Sequence, residues 1–458
     1  MRVPTGVLSI VLALAGCAGP PERPEDGGAP VVAEASYRGW RSLRLSNGLI
    51  ELHVVPEIGG RVMQFRLGEK EFLWVNSRLE GALPPPGGLG SDGAWLNYGG
   101  DKLWPAPQGW DDETQWPGPP DAVLDGSPYR VEVGREDASI RLESGDDPRS
   151  GIGFSRVIRM QEGAARVTFD ATMRNVDTKP RRWGIWAHTQ LDGAKAGGSG
   201  HNALLGAWCP MNPRSRFQEG YSVIFGEKDN PSFEPDRERN LLRVRYKYLV
   251  GKVGLDSPAG WTATVDGATG HVFVQRFVFE ADREYPDGSS VEFWLNGRGT
   301  IHAYKKEMVM ADDPVENPCV FESEVLSPFA RLLPGESFTW RYEWCATNIG
   351  GDFPVVDCSD AGVTSEPLTA IGSGGKLSLR GRFGVFSPGT VRAAILDGGG
   401  RELRSVDLER EASPLRPLAI EATTELPVGT AAVALVLQDL AGNDLGRLAR
   451  ADIERRER

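Results

Sequence analysis

The stretch Ser42-Leu-Arg-Leu-Ser-Asn-Gly-Leu-Ile-Glu-Leu-His-Val-Val55 decides the fold class. Apolar residues alternate with other residues in much of this stretch, and this period of two is typical of a strand with one buried face. The dipeptide Asn47-Gly48 separates the two halves and favours a tight hairpin turn. The sequence therefore predicts two antiparallel strands joined at Asn47-Gly48.

The same alternation continues along the chain, whereas sustained helical spacing is hard to find. The further predicted strands are Arg61–Leu67, Phe72–Val75, Tyr129–Val133, Ala138–Glu143, Phe154–Met160, Arg166–Asn175 and Trp183–Leu191. Many short strands separated by Gly, Pro and Asn turns predict an all-β protein built as an antiparallel sandwich or barrel.

The N-terminus has the features of a secretory signal. A basic start is followed by the short apolar run Val7–Leu14, which is far below the roughly 20 residues needed to span a bilayer. The tetrad Leu14-Ala-Gly-Cys17 is similar to the lipobox of bacterial lipoproteins, which implies cleavage before Cys17 and acylation of its sulfur. The alternative is an ordinary signal peptide with an incidental cysteine. We expect an exported, lipid-anchored protein of the cell envelope.

Composition limits the classes of partner and of site. The formal net charge of −12 argues against nucleic acid, because phosphate binding needs a basic face. Four further cysteines could form disulfides in an exported chain, but their spacing matches no zinc motif: Cys209, Cys319, Cys345 and Cys358. We therefore expect no cysteine-bound metal.

The segment between Asn76 and Val123 breaks the strand pattern and holds four of the thirteen tryptophans: Trp95, Trp104, Trp110 and Trp116. Disordered segments are poor in aromatic residues, so we expect an ordered, functional loop. Indole rings could line a binding site, or they could pack the loop against the sheet.

Composition also predicts the organisation of domains. We expect a signal peptide and lipobox at 1–17, a flexible tether at 18–36 and a large domain at 37–348. A linker at 349–367 would lead to a small immunoglobulin-like β-sandwich at 368–458.

His188 and Glu322 are the candidate catalytic pair. Each lies in a strand-like run, 182–191 and 319–326, far apart in the chain. A histidine and a carboxylate from distant strands could supply an acid and a base on opposite sides of a small polar substrate, about a sugar ring's width apart. The structural alternatives are a histidine packed between tryptophans and a glutamate paired with an arginine.

Four segments resemble the galactose mutarotase-like (aldose 1-epimerase-like) superfamily, in particular an exported branch of it. They are Asn47–Val62, Asn97–Trp104, Ala187–Thr189, and Glu322–Glu324 with Pro334-Gly-Glu336. The resemblance covers roughly residues 37–347. It implies a large antiparallel supersandwich with a sugar site on its concave face.

The resemblance also implies a reaction and its residues. Histidine would protonate the ring oxygen of an aldose while glutamate takes the proton of the anomeric hydroxyl. His188 and Glu322 then carry catalysis, and Tyr98, Lys102, Trp104 and Glu324 bind substrate. This chemistry needs neither a metal nor an organic cofactor.

Two residues depart from the superfamily's pattern. Tyr98 stands where relatives have a histidine in the substrate loop, and Glu324 stands where they have a glutamine. Because residues i and i+2 of a strand share a face, we expect Glu322 and Glu324 to lie side by side and the repulsion between them to raise the pKa of one of the two.

The sequence leaves three functions open. The first is cofactor-independent epimerisation at the anomeric carbon of a carbohydrate. The second is a glycan-binding lipoprotein that kept the site without the chemistry. The third is a structural lipoprotein of the envelope, with the C-terminal sandwich as its contact module. The oligomeric state stays open.

Overall fold

The computed structural model describes residues 27–85, 95–303 and 306–455. The predicted signal segment, the lipobox with Cys17 and residues 18–26 of the predicted tether lie outside these ranges. Within the described ranges, no helix is long and apolar enough to cross a membrane.

Strands account for nearly all regular structure, and only two short 3₁₀ turns, Ser77–Leu79 and Pro286–Gly288, interrupt them in the described residues. In chain order the first strands are β1 Val31–Tyr37, β2 Trp40–Ser46, β3 Ile50–Val55, β4 Arg61–Leu67, β5 Lys70–Glu71, β6 Asp101–Ala106, β7 Arg130–Gly134, β8 Ser139–Glu143, β9 Ile152–Met160, β10 Arg166–Asn175, β11 Arg181–Asp192, β12 Leu205–Pro210, β13 Ser222–Phe225, β14 Phe233–Asp236, β15 Leu241–Arg245, β16 Gly251–Leu255 and β17 Trp261–Asp266. The later strands are β18 His271–Phe277, β19 Val291–Leu295, β20 Gly299–Ala303, β21 Lys306–Met310, β22 Val320–Leu326, β23 Ala330–Leu332, β24 Ser337–Asn348, β25 Asp357–Cys358, β26 Gly362–Ser373, β27 Lys376–Val385, β28 Gly389–Asp397, β29 Glu402–Ala412, β30 Leu418–Glu425, β31 Thr430–Gln438, β32 Asp444–Asp452 and β33 Glu454–Arg455.

Two large antiparallel sheets form the first part of the molecule. The order in the first sheet is β1-β2-β3-β4-β6-β11-β22-β19-β16-β13, with β5 on β4 and β23 on β11. The second sheet has the order β14-β15-β12-β17-β18-β24-β10-β9-β8-β7. Phe65 of the first sheet lies 5.9 Å from Phe273 and 5.7 Å from Trp344 of the second, measured between ring centroids. The sheets therefore pack face to face, and the predicted all-β sandwich is confirmed.

The predicted Asn-Gly hairpin is confirmed as the turn between β2 and β3. The Asn47 side-chain oxygen accepts hydrogen bonds from the backbone N–H groups of Leu49 and Ile50, both at 3.1 Å. Gly48 has φ +92°, a left-handed conformation that glycine adopts without a Cβ clash. These contacts set the register in which Ser46 faces Glu51.

Two stretches differ from the sequence expectation. Residues 31–36, expected in a tether, belong to β1, because their backbone pairs with β2 from Val31 opposite Ser46 to Ser36 opposite Arg41. Residues 101–106, expected in a loop, form β6 in the middle of the first sheet. Every residue of β6 is buried. A strand covered on both faces need not alternate between apolar and polar residues, so the pattern was absent from its sequence.

The C-terminal strands form two smaller sheets around their own core. One has the order β25-β26-β27-β30 with β33 on β26, and the other the order β29-β28-β31-β32. Strand β25 and the start of β26 fall within the residues expected as a linker. These sheets contact the large second sheet, because the Ala165 N–H donates to the Phe386 carbonyl at 2.7 Å.

The four cysteines of the described chain are free thiols, and three of them are buried: Cys209, Cys319 and Cys345. Burial raises the pKa of the Cys345 thiol to about 11. This thiol is therefore protonated at neutral pH and is a weak nucleophile.

Candidate functional site

One face of the first sheet carries the candidate site. Strand pairing places four charged or ionisable residues in one row across four adjacent strands: Lys102 of β6, His188 of β11, Glu324 of β22 and Glu292 of β19. Residues at the same level of neighbouring strands point to the same face. This row therefore lies on a single side of the sheet.

A second row lies two residues further along β11 and faces the same side. It contains Gln190 of β11, Glu322 of β22, Trp294 of β19 and Lys252 of β16. The shared face confirms that Glu322 and Glu324 lie side by side. Two rows of this kind bring together residues as distant in the chain as Lys102 and Glu324.

A cavity of about 1000 Å³ opens over these rows. Its polar lining includes His188, Gln190, Lys252, Glu322 and Glu324. Six tryptophans also line it: Trp74, Trp95, Trp104, Trp110, Trp186 and Trp294. The cavity therefore combines a polar floor with aromatic walls, the usual composition of a small-molecule site.

His188 and Glu322 are in direct contact. His188 Nε2 lies 3.0 Å from Glu322 Oε2 and 3.5 Å from Glu324 Oε1. The Trp104 ring lies 4.1 Å from the imidazole between centroids, and Gln190 Nε2 donates to Glu322 Oε1 at 2.7 Å. The expected separation of a sugar ring's width is therefore absent, and the two side chains form one unit on the cavity floor.

Burial favours the neutral forms of this unit. It lowers the pKa of His188 well below its usual value, and the charge of Lys102 lowers that pKa further. Burial raises the pKa values of Glu322 and Glu324, although Gln190 opposes the shift at Glu322 and Lys252 opposes it at Glu324. The 3.0 Å contact needs one proton between Nε2 and Oε2, because a carboxylate can only accept. Both shifts oppose an imidazolium–carboxylate ion pair, and the shared proton can reside on Nε2 of neutral His188 or on Oε2 of Glu322.

Lys252 provides a buried positive charge beside this unit. Its Nζ lies 2.7 Å from Glu292 Oε2 and 3.1 Å from Glu324 Oε2, and 4.2 Å from the centroid of the Trp186 ring. Burial alone would lower the pKa of Lys252, but Glu292 and Glu324 together raise it. These two glutamates therefore favour the ammonium form of Lys252, whose Nζ contacts Glu324 directly.

Lys102 lies beneath the cavity and does not line it. Its Nζ donates to Gln190 Oε1 at 2.9 Å and lies 4.9 Å from the centroid of the Trp104 ring. Burial and the charge of Arg61 lower the pKa of Lys102 to about 7, although Asp125 opposes the shift. Lys102 therefore orients Gln190, which in turn donates to Glu322.

Tyr98 lies outside the cavity lining. Its ring packs in a separate cluster 6.1 Å from Trp40 and 5.8 Å from the guanidinium carbon of Arg61. Gly99 turns the chain away at φ +93°, in a place where a Cβ would lie 2.2 Å from the Trp74 carbonyl oxygen. The structure therefore does not bring Tyr98 together with the other predicted site residues.

Asp125 holds two of the cavity tryptophans. Its carboxylate accepts hydrogen bonds from the indole N–H groups of Trp95 at 2.6 Å and Trp104 at 3.3 Å. The Arg61 guanidinium neutralises the same carboxylate at 2.7 Å. The aromatic wall is thus anchored by a buried ion pair that sequence analysis did not find.

The sequence did not single out three further residues of the candidate site: Gln190, Lys252 and Glu292. Gln190 follows His188 by two residues, so the strand period alone would have placed it on the same face. Lys252 and Glu292 carry no motif, and only the pairing of β16, β19 and β22 brings them to Glu324.

The opposite face of the same strands carries a buried hydrogen-bond network. Arg156 of the second sheet pairs with Asp101, and Thr189 Oγ1 donates to Asp101 at 2.9 Å. Gln275 of the second sheet donates to Thr189 at 3.1 Å and accepts from Ser323 Oγ at 2.7 Å. The neighbours of His188, Glu322 and Glu324 are thereby tied to the second sheet.

His188, Glu322 and Glu324 could also hold a metal ion. Each offers a ligand atom, and these atoms lie within 4.8 Å of one another. Lys252 already supplies a positive charge to Glu324, so the cluster does not depend on a cation for charge balance.

Comparison with known proteins gives one family match, which is partial. Residues 41–196, about a third of the chain, match the model of a domain of unknown function, DUF4380. This segment contains β6 and β11, and therefore Lys102, His188 and Gln190, but not Glu322.

Several solved structures align with much of this chain at low identity. A galactose mutarotase-like protein from Clostridium acetobutylicum aligns with 70% of this chain and 99% of its own, at 12% identity and a TM-score of 0.43. One from Lactobacillus casei aligns with 69% of this chain and 100% of its own, at 11% identity and a TM-score of 0.41. A TPR-domain containing protein from Parabacteroides distasonis aligns with 72% of this chain at 11% identity and a TM-score of 0.42, and the match spans 54% of its length. These similarities concern the fold alone.

The buried Lys102 predicts a pH-dependent stability. The unfolded chain keeps the lysine proton up to about pH 10.4, whereas folded Lys102, with a pKa of about 7, releases it earlier. Between these values the unfolded state binds more protons, so stability rises with pH. We expect the parent to gain on the order of 1 kcal/mol per pH unit between pH 7.5 and 9.5 relative to Lys102→Met, measured by urea unfolding.

Lys376→Met is the matched control, because Lys376 is exposed on β27. It should follow the parent at every pH. A constant difference between the parent and Lys102→Met over this range would contradict the lowered pKa.

Proposed function

We propose that the cavity over β6, β11, β22, β19 and β16 binds a carbohydrate. The observation that carries this proposal is the combination of a polar floor with indole walls in one cavity. Sugar hydroxyls need both donors and acceptors, and Gln190, Lys252, Glu322 and Glu324 offer them. The C–H faces of a sugar ring are apolar and suit the flat faces of the lining rings Trp95 and Trp294.

Binding should depend on the His188–Glu322 unit. We expect millimolar or tighter binding of at least one neutral mono- or oligosaccharide in a calorimetric panel. Glu322→Gln should weaken it about tenfold, since a buried polar group left without its hydrogen-bond partner costs about 1–3 kcal/mol. EDTA should leave binding unchanged, because Lys252 rather than a metal neutralises Glu324.

The control is Glu421→Gln, a change of an exposed glutamate on β30. It should bind like the parent. If no sugar binds the parent, or if Glu322→Gln binds every sugar equally well, the carbohydrate proposal fails.

A second candidate function is epimerisation at the anomeric carbon, and the His188–Glu322 contact favours it. The ring oxygen and the anomeric hydroxyl are bonded to the same carbon, so two touching groups can serve both. The Glu322 carboxyl would donate its proton to the ring oxygen while neutral His188 takes the proton of the anomeric hydroxyl. The C1–ring oxygen bond breaks, an aldehyde forms, and closure on the other face returns both protons. These roles are the reverse of those implied by the superfamily resemblance.

Anomer exchange measured by NMR tests this candidate. For a sugar that binds, the parent should exchange α and β forms faster than buffer, and His188→Asn and Glu322→Gln should each slow exchange at least about 100-fold. If a bound sugar exchanges at the buffer rate, the protein binds carbohydrate without turning it over. If exchange persists in both variants, the assigned pair is wrong.

We also propose that the chain is exported and anchored by a lipid at Cys17, on the basis of the Leu14-Ala-Gly-Cys17 tetrad. In a bacterial host fed an alkyne-tagged fatty acid, the parent should carry the tag and sediment with membranes. Cys17→Ser should lose both properties. An untagged parent, or a tag that remains in Cys17→Ser, would contradict the anchor.

A further inference from the structure

The cavity extends beyond the polar floor into a second, apolar part. Six side chains of its lining form this apolar end: Trp110, Phe225, Trp294, Ile301, Met308 and Met310. Trp294 stands at the junction, because it pairs across strands with Glu322 on one side and Lys252 on the other. A single ligand could therefore contact both parts.

The side chains of the apolar end pack against one another as a cluster. Ile301 and Val250 are buried, and Trp110, Phe225, Trp294 and Met310 pack against them. The Phe225 ring lies 6.4 Å from Trp110 and 6.1 Å from Trp294 between centroids. Met308 keeps 39% of its surface exposed while it lines the cavity. The end thus has a fixed aromatic base and an accessible thioether edge.

The chemistry of this end does not suit sugar hydroxyls. Ile301, Met308 and Met310 offer no strong hydrogen-bond donor or acceptor, and the Trp110 N–H already donates to the Pro117 carbonyl at 2.9 Å. A hydroxyl placed among these side chains would lose its water partners without replacement. An alkyl, acyl or aryl group would instead gain from leaving water.

Size leads to the same conclusion. The volume of about 1000 Å³ lies at the upper end of the range of roughly 300–1,000 Å³ for ligand pockets. A monosaccharide over His188 and Glu322 would leave the apolar end filled with water.

We propose that the ligand is a saccharide that carries an apolar substituent. The sugar ring lies on the floor formed by His188, Gln190 and Glu322, and the substituent lies between Trp294 and the Ile301–Met308–Met310 side chains. This inference rests on the proposed carbohydrate function and names its ligand class.

Matched methyl and hexyl glycosides of glucose, galactose and mannose test the proposal by calorimetry, with hexyl glycosides below their micellar concentration. For at least one sugar, the hexyl glycoside should bind the parent at least tenfold more tightly than the methyl glycoside. Met308→Gln/Met310→Gln should reduce this ratio to about threefold or less and leave the methyl glycoside unchanged. Leu440→Gln, an exposed apolar residue after β31, should keep the parent ratio.

Other results would overturn the inference in distinguishable ways. Equal affinities for the methyl and hexyl glycosides would contradict the apolar subsite and would still agree with the carbohydrate proposal. Tighter binding of an unsubstituted oligosaccharide than of any hexyl glycoside would make the apolar end a sugar subsite. Binding of hexanol as tight as that of the hexyl glycoside, or no binding of any glycoside, would contradict the carbohydrate function and this inference together.

Discussion

The buried ion pair between Asp101 and Arg156 is the constraint on which the site depends. Arg156 reaches Asp101 from the second sheet, and Thr189 donates to the same carboxylate. A shift of β6 or β11 by one residue would move Asp101 or Thr189 to the other face of the sheet, and it would leave charged groups buried without partners. Breaking a buried pair costs about 3–5 kcal/mol, so the register is strongly fixed. With Thr189 facing inward, His188 must face the cavity. The position of the candidate acid–base unit therefore follows from an interaction on the opposite side of the sheet.

The charges on the cavity side determine the protonation of His188 and Glu322. Lys252 lies against Glu292 and Glu324, and Lys102 holds Gln190 against Glu322. Burial lowers the pKa of His188 and raises the pKa of Glu322, and both shifts favour the neutral side chain. A single proton between imidazole and carboxyl is the result. The touching His188 and Glu322 can both donate and accept a proton on the same side of a ligand. An imidazolium and a distant carboxylate would instead act from opposite sides of a substrate placed between them.

Sequence patterns predicted features that local turn chemistry and the strand period encode, and they missed β6 and the residues that only strand pairing brings together. The Asn47-Gly48 hairpin and the shared face of Glu322 and Glu324 follow from local turn chemistry and the period of two. Strand β6 shows no alternation because both of its faces are covered. Lys252 and Glu292 reach Glu324 only through strand pairs whose facing residues are 42 positions apart (Lys252 and Trp294) and 32 positions apart (Glu292 and Glu324), which no local pattern encodes. Tyr98 lies with Trp40 and Arg61 outside the cavity lining, a placement that its position before β6 does not reveal in sequence.

The two parts of the cavity impose different demands on one ligand. The floor is crowded with charged and hydrogen-bonding groups, so each polar atom placed there must find a partner. At the end formed by Ile301, Met308 and Met310, a polar ligand atom would lose its hydrogen bonds to water and find no partner, which costs binding free energy. A uniformly polar ligand satisfies the first part only, and a uniformly apolar ligand leaves the floor unpaired. A molecule with one polar and one apolar half satisfies both parts. Trp294 lies where the halves would join, because its strand neighbours are Glu322 and Lys252 and its ring contacts Phe225. The division of the lining therefore constrains the ligand more strongly than the fold does.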